Sequence, residues 1–169
     1  MTSSTKAFSA SYSGPLFRSI NSRYLSTPFS GEGARRYGGR FNLVGRAALY
    51  TCTTREAIYA EWAQWNLPTR NPVVEFHCDY ESIYDATSDD AVGQFGFSHA
   101  ELGRDDWRWL MDEGRDVPSQ LFAERVIAAG FTAILVRCYA AGRETHLRNV
   151  VFYDWEDGAD LNLTHVHYN

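Results

Sequence analysis

Three polar residues in the stretch from Gly31 to Glu61 have types and settings that could do chemistry together: Arg40, Tyr50 and Glu61. Arg40 follows Gly38-Gly39, a turn signal that also lets a ligand come close to the backbone, because glycine reaches positive φ without a steric cost. Tyr50 stands in a short apolar run, Ala47 to Cys52, that reads as a buried strand. Glu61 falls in the helix that follows. Ala57 and Trp65 lie four residues to either side of it and Ile58 three before it, so its carboxylate shares an apolar face. Burying a carboxylate there is costly unless something pairs with it, and Arg40 is the candidate. The pair reads in two ways: as a structural ion pair at a helix rim, or as a catalytic carboxylate at the mouth of a cleft.

The surrounding elements must position these groups. Thr53-Thr54-Arg55-Glu56 fits a capping box, with the Thr53 hydroxyl on a free N–H of the first turn. The helix is predicted from about Thr54 to Trp65, stopping before Pro68. Gly14 to Ile20 reads as a strand and Tyr24 to Ser30 as a loop. Gly31-Glu32-Gly33 does not open a dinucleotide-binding Gly-rich turn, because Arg36 occupies the third glycine position and no clear strand precedes it; there is no Walker A loop either. Asn71 to Tyr80 alternates as a strand around Val74, Phe76 and Cys78, with Glu75 and His77 on a solvated face, and Ser82 to Asp85 is a second extended piece. Ser98 to Glu101 offers another capping box, Asp105 to Asp112 a short helix, and Pro118 to Ala129 a longer one ended by Gly130. Phe131 to Cys138 reads as a central strand and Asn149 to Trp155 as a further one. Gly142 to Leu147 is a polar loop, and the tail from Glu156 onward shows no clear pattern. This order suits an α+β domain with a mixed or antiparallel sheet and helices to the side, not a regular βαβ series.

Whole-chain properties bound the reading. The 169 residues suit one domain, with 1–13 a flexible lead-in and 14–169 the folded part. A hydrophobic fraction of 44%, with five Trp, ten Tyr and ten Phe, argues for a packed core. No apolar run is long enough for a membrane span, and the Ser/Thr-rich start lacks a secretory h-region, so a cytoplasmic location is expected. A net charge of −5 argues against non-specific nucleic-acid binding. Cys52, Cys78 and Cys138 match neither a disulfide framework nor a zinc spacing, and His165 with His167 suits a surface or strand edge better than a metal site, so no metal is expected.

The ordered pattern Y-G-G-R-F-N-x-x-G from Tyr37 to Gly45, then Ala48-Leu49-Tyr50, then a helix carrying Glu61, resembles the RES-domain toxins of bacterial toxin–antitoxin pairs. The resemblance extends from Gly14-Pro15-Leu16-Phe17-Arg18 to Asn149-Val150-Val151-Phe152. It implies an ADP-ribosyltransferase-like fold, with a split sheet around a cleft for NAD+ as substrate. It also implies cleavage of the nicotinamide–ribose bond, by hydrolysis, phosphorolysis or transfer of ADP-ribose to a target protein. Such a reaction passes through an oxocarbenium-like ribose. It needs a planar cation for phosphate, an aromatic face for nicotinamide and a carboxylate near the ribose. By resemblance Arg40 and Arg18 take phosphate or ribose, Tyr50 takes nicotinamide, and Glu61 stabilises the transition state. Glu61, Tyr50 and Arg40 form the catalytic set. Tyr37 is expected to close over the ligand, and Asn149 either contacts the cleft or caps a strand end. The family's serine position holds Cys138, a weaker hydrogen-bonding group, which puts that cofactor contact in doubt. The implied partner is an antitoxin with a DNA-binding, Xre-like helix-turn-helix region whose C-terminal part covers the cleft. The alternative is a non-catalytic module that binds a nucleotide or a partner on the same fold.

Overall fold

The computed structural model describes residues 3–65, 71–140, 146–155 and 160–168. In chain order the described elements are α1 (Ser3–Lys6), β1 (Ser9–Ser19), a 3-10 turn (Ser22–Tyr24), α2 (Glu32–Tyr37), β2 (Leu49–Cys52), α3 (Arg55–Trp65) and β3 (Val73–Asp85). There follow α4 (Asp89–Gly93), α5 (His99–Leu102), α6 (Trp107–Asp112), α7 (Pro118–Ala128), β4 (Ala133–Arg137), β5 (Arg148–Phe152) and β6 (Asp160–His167). No helix among the described residues is long and apolar enough to cross a membrane.

The expected α+β domain is what forms. Six strands make one mixed sheet in the order β1-β2-β5-β4-β3-β6, with β1 also paired to β3. The β3–β4 pair is parallel and the other pairs are antiparallel. The pairings therefore return on themselves, from β1 through β2, β5, β4 and β3 to β1, and β6 extends the sheet along the first half of β3.

Several boundaries differ from the sequence reading. β1 begins at Ser9, inside the segment expected to be a flexible lead-in, because its residues from Ser9 to Ser19 pair along β3. The two extended pieces around Tyr80 are one strand. Its buried positions run Val74, Phe76, Cys78 and Tyr80, then resume at Ile83, and the register with β1 shifts over the same stretch. The irregularity restores the inward phase that the alternation appears to lose. The tail supplies β6, whose His167 Nε2 lies 2.7 Å from Glu75 Oε2, so Glu75 is paired and half-buried while His77 stays exposed. At the head of α3, the cap is Thr54, whose hydroxyl accepts from Ala57 N at 3.4 Å; the Thr53 hydroxyl instead donates to the Arg148 carbonyl. The capping box at Ser98 and Glu101 and the Pro118 start of α7 form as expected. The expected stop of α3 before Pro68, most of the loop after Gly142 and the start of the tail lie outside the described residues.

Strand alternation divides the core. Leu49, Val150, Phe152 and Ala133 point into one cluster with Leu16, Phe76 and Cys78. Tyr50, Val151, Ile134 and Val136 point to the other face, against Phe122, Ala123 and Val126 of α7 and the buried ring of Tyr84. Tyr84 anchors this side: its hydroxyl donates to the Ala91 carbonyl at 2.7 Å, and Phe8, Phe95 and Phe131 meet its ring edge to face. The same face continues to Cys52 and Cys138, which α3 covers with Ala57 and Ile58. Between α3 on one side and α5, α6 and α7 on the other, the sheet is left uncovered, and a cleft opens there.

Candidate active site

The residues singled out by type come together at that gap. A cavity of about 340 Å³ is lined by Arg18 from β1, Arg40 and Phe41 from the loop after α2, Tyr50 from β2, Glu61 from α3 and Asn149 from β5. Trp107 of α6 and Tyr139, just past β4, complete the wall. A larger cavity of about 840 Å³ near Pro28, Phe29 and Trp155 shares none of these residues and presents no arginine. Convergent charged and aromatic groups, rather than size, make the smaller one the candidate site.

The Gly38-Gly39-Arg40-Phe41-Asn42 turn is built around Asn42, which is wholly buried. Asn42 Nδ2 lies 2.9 to 3.0 Å from the carbonyls of Ala34, Leu43 and Arg46, and its Oδ1 accepts from the Tyr50 hydroxyl at 2.7 Å. Gln120 of α7 pins the same turn by donating to the carbonyls of Gly39 and Asn42 at 2.8 and 3.1 Å. Gly38 sits at φ +68°, where a side chain would be strained. Gly39 leaves no room for one, since a Cβ would stand 2.5 Å from the Tyr50 hydroxyl.

Tyr50 is held at both lone pair and proton. Its hydroxyl donates to Asn42 and accepts from the Phe41 N–H at 2.9 Å. Burial pushes its pKa up, so the phenol stays neutral and its ring, not its proton, is what the cavity meets.

Glu61 keeps part of its surface open to the cavity, while the surrounding protein raises its pKa by desolvation. Opposing that, Asn149 Nδ2 donates to Glu61 Oε1 at 2.7 Å, and the Arg40 charge acts at longer range. The direct partner is therefore Asn149 rather than Arg40, which is where this structure departs from the pairing the sequence suggested. Among the described residues, the Asn149 Oδ1 is buried without a hydrogen-bond partner.

Arg40 is instead fixed by Nη1 donating to the carbonyls of Leu102 and Arg104 at 3.0 and 2.9 Å. Its guanidinium lies over Trp107 and Tyr139, 5.4 and 5.7 Å from the ring centroids. Desolvation lowers its pKa, which leaves it a cation at neutral pH. Arg18 spends two nitrogens on the carbonyls of Pro28 and Ser30, at 2.7 and 3.0 Å, and burial lowers its pKa to about 10.

Two of the expected ligand residues do not line the Glu61 cavity. Tyr37 is 72% exposed and lines an adjoining cavity of about 520 Å³, which shares Arg18 and Gly33 with the first. Cys138 is only 5% exposed, packs with Phe17, Cys52 and Ala57 beneath α3, and is not among the residues lining the Glu61 cavity. Burial raises its thiol pKa, away from the nucleophilic form. Trp107, Tyr139, Asn42 and Gln120 were not singled out by the sequence reading. The Asn42 position stands inside the quoted turn pattern and was legible there; the others reach the site from more than 60 positions downstream of Arg40, with no local signal.

The fold and the cleft define an α+β domain whose cavity gathers a carboxylate, two arginines and several aromatic faces. The chain belongs to the RES domain family, whose model matches residues 15–168. Over 39 residues it is 44% identical to a protein named Toxin Res from Photorhabdus laumondii subsp. laumondii, a match that spans 23% of this chain and only 25% of that protein. A chain of the crystal structure of the M. tuberculosis MbcT–MbcA toxin–antitoxin complex superposes with a TM-score of 0.69, covering 97% of this chain and 88% of that one. At 22% identity, this second likeness is one of fold.

Proposed function

We propose that this protein is the toxin of a toxin–antitoxin pair and that it consumes NAD+ by breaking the nicotinamide–ribose bond. The observation that carries this reading is the Glu61 carboxylate, held by Asn149 on the wall of a cavity that also presents Arg40 and the Tyr50 ring. Membership of the RES domain family supports it, as do the toxin name of one relative and the toxin–antitoxin setting of the structural neighbour.

In this reading the Tyr50 ring takes the nicotinamide face, and Glu61 stabilises positive charge as it develops at the ribose. Departing nicotinamide takes the electron pair of the glycosidic bond and leaves neutral, so no acid is needed to expel it. This agrees with a Tyr50 hydroxyl already committed to Asn42 and Phe41. Arg40 and Arg18 supply cations for the pyrophosphate. The 340 Å³ cavity is small for a whole dinucleotide. The far half runs past Arg18 into the adjoining cavity, where Tyr37 covers it. An antitoxin segment that fills the cleft would silence the protein.

The test is NAD+ loss by purified protein, with and without phosphate, beside Glu61→Gln. Loss that depends on Glu61 supports the reading, and its phosphate dependence identifies the acceptor. Absence of loss, with ADP-ribose mass appearing on lysate proteins, moves the assignment to protein ADP-ribosylation. Absence of both, with NAD+ or an antitoxin still bound, leaves a non-catalytic binding module.

A further inference from the structure

Behind the cavity wall lies a chain of polar contacts with no part in the chemistry above. Tyr139, which lines the cavity and carries the Arg40 guanidinium over its ring, has its hydroxyl 2.6 Å from Nδ1 of His99 on α5. The His99 side chain is only 11% exposed, and among the described residues its Nε2 lacks an aligned hydrogen-bond partner. A buried polar atom in that state needs a reason. Its surroundings supply one. Asp89 Oδ1 stands 3.5 Å from Nε2, and the backbone of Thr87 and Ser88 also accepts from the ring. All are acceptors, so the ring proton belongs on Nε2. Nδ1 is then a lone pair, and the Tyr139 hydroxyl must donate to it. Asp89 and Thr87 are in turn anchored by Arg137, which donates to Asp89 Oδ1 at 3.1 Å and to the Thr87 carbonyl at 2.8 Å.

The same ring has little freedom elsewhere. Gly103, at the end of α5, lies so close that a Cβ there would be 2.8 Å from Tyr139 Cδ1. Leu102, immediately before it, provides one of the two carbonyls that hold Arg40. Thus α5 touches the Arg40 end of the cleft twice, through a carbonyl and through His99 and Tyr139.

We infer that His99, acting through Tyr139, is a positioning residue for the Arg40 end of the cleft. This rests on the reading of that cleft as an NAD+ site. Neutral His99 accepts the Tyr139 proton and holds the ring where Arg40 lies over it. Protonated His99 would carry N–H at both nitrogens, reverse the bond and turn the hydroxyl away. Burial and the facing charge of Arg137 oppose that protonation, while Asp89 favours it.

The experiment compares His99→Gln, Tyr139→Phe and the double variant in nicotinamide release, with two-dimensional ¹H–¹⁵N NMR of the imidazoles in the parent. KM for NAD+ should rise about three- to tenfold in each single variant, the range expected for one lost hydrogen bond, with a smaller change in kcat. The double variant should add nothing to the larger single effect, because both remove the same bond. NMR should find the Nε2–H tautomer, and the His99 titration should move in Tyr139→Phe. Parent KM should rise as pH falls through that titration, and the rise should vanish in His99→Gln. Unchanged KM in a folded His99→Gln, additive single effects, or an Nδ1–H tautomer would each overturn the inference. If the parent neither binds nor cleaves NAD+, the functional reading fails instead, and the tautomer and its response to Tyr139→Phe still decide whether the contact exists as described.

Discussion

At the scale of the residue, Glu61 is held in a state that costs stability. Its folded pKa lies above the unfolded value of about 4.3, because desolvation outweighs the Asn149 hydrogen bond. At pH above the folded pKa the protein therefore carries a buried charge that the unfolded chain exposes freely. As pH falls through the folded pKa, Glu61 takes up a proton and that cost disappears. Glu61→Gln keeps an acceptor for Asn149 but no charge. It should melt higher than the parent at pH 8, by roughly 2–4 °C for each kcal/mol relieved in a chain of this size, and the gain should vanish near pH 4. An equal shift at both pH values would mean that charge burial is not the cause. In the proposed reading NAD+ consumption falls as stability rises, an exchange common at functional carboxylates.

What the sequence showed at this scale follows from the range of each interaction. Helical periodicity put Glu61 beside Ala57, Ile58 and Trp65, and the glycine pair announced a turn at Arg40; both are local signals. That Asn149 rather than Arg40 holds Glu61 depends on strands far apart in the chain, and no local pattern encodes it. Arg40 finds its acceptors on Leu102 and Arg104 for the same reason. Cys138 followed from its place at a strand end, but alternation alone could not say that α3 would cover the thiol.

Elements place these residues through one tight turn more than through any strand. The Gly38 to Asn42 turn is fastened to α2 by Asn42, to β2 by Tyr50 and to α7 by Gln120. Gly39→Ala should therefore do damage well beyond a missing glycine. Its Cβ would sit 2.5 Å from the Tyr50 hydroxyl and 2.6 Å from Asn42 Oδ1, forcing apart the bond between them. We expect a loss of about 1–3 kcal/mol, as for other overpacked sites, and a sharp fall in NAD+ turnover, read by thermal melting and nicotinamide release. Full activity in this variant would show that the turn does not hold the cleft in shape. Strands and helices were largely legible as elements, because alternation and caps are written within a few residues. Their ends moved where a partner strand extended them, as β3 extends β1 back to Ser9.

For the whole molecule, the sheet's order, β1-β2-β5-β4-β3-β6, was not legible from the chain, because each choice of neighbour joins distant segments. β5 stands between β2 and β4, pairing Thr51 with Val150 on one side and Leu135 with Val150 on the other. The ring of pairings therefore stays open between β2 and β4 until residues 148–152 join it.

That arrangement has a consequence for the cell that makes the protein. Strand β5 leaves the ribosome after every other member of the ring, and it brings Asn149 with it. A nascent chain that already displays Arg18, Arg40, Tyr50 and Glu61 still lacks both the strand that seals the sheet and the amide that holds the carboxylate. Pairing of such distant segments is slow and belongs to the folding of the domain as a unit. In the proposed reading, translation products that stop short of β5 lack the assembled cleft. In that reading, activity begins only once β5 has been synthesised, and the time before it is open to an antitoxin made alongside.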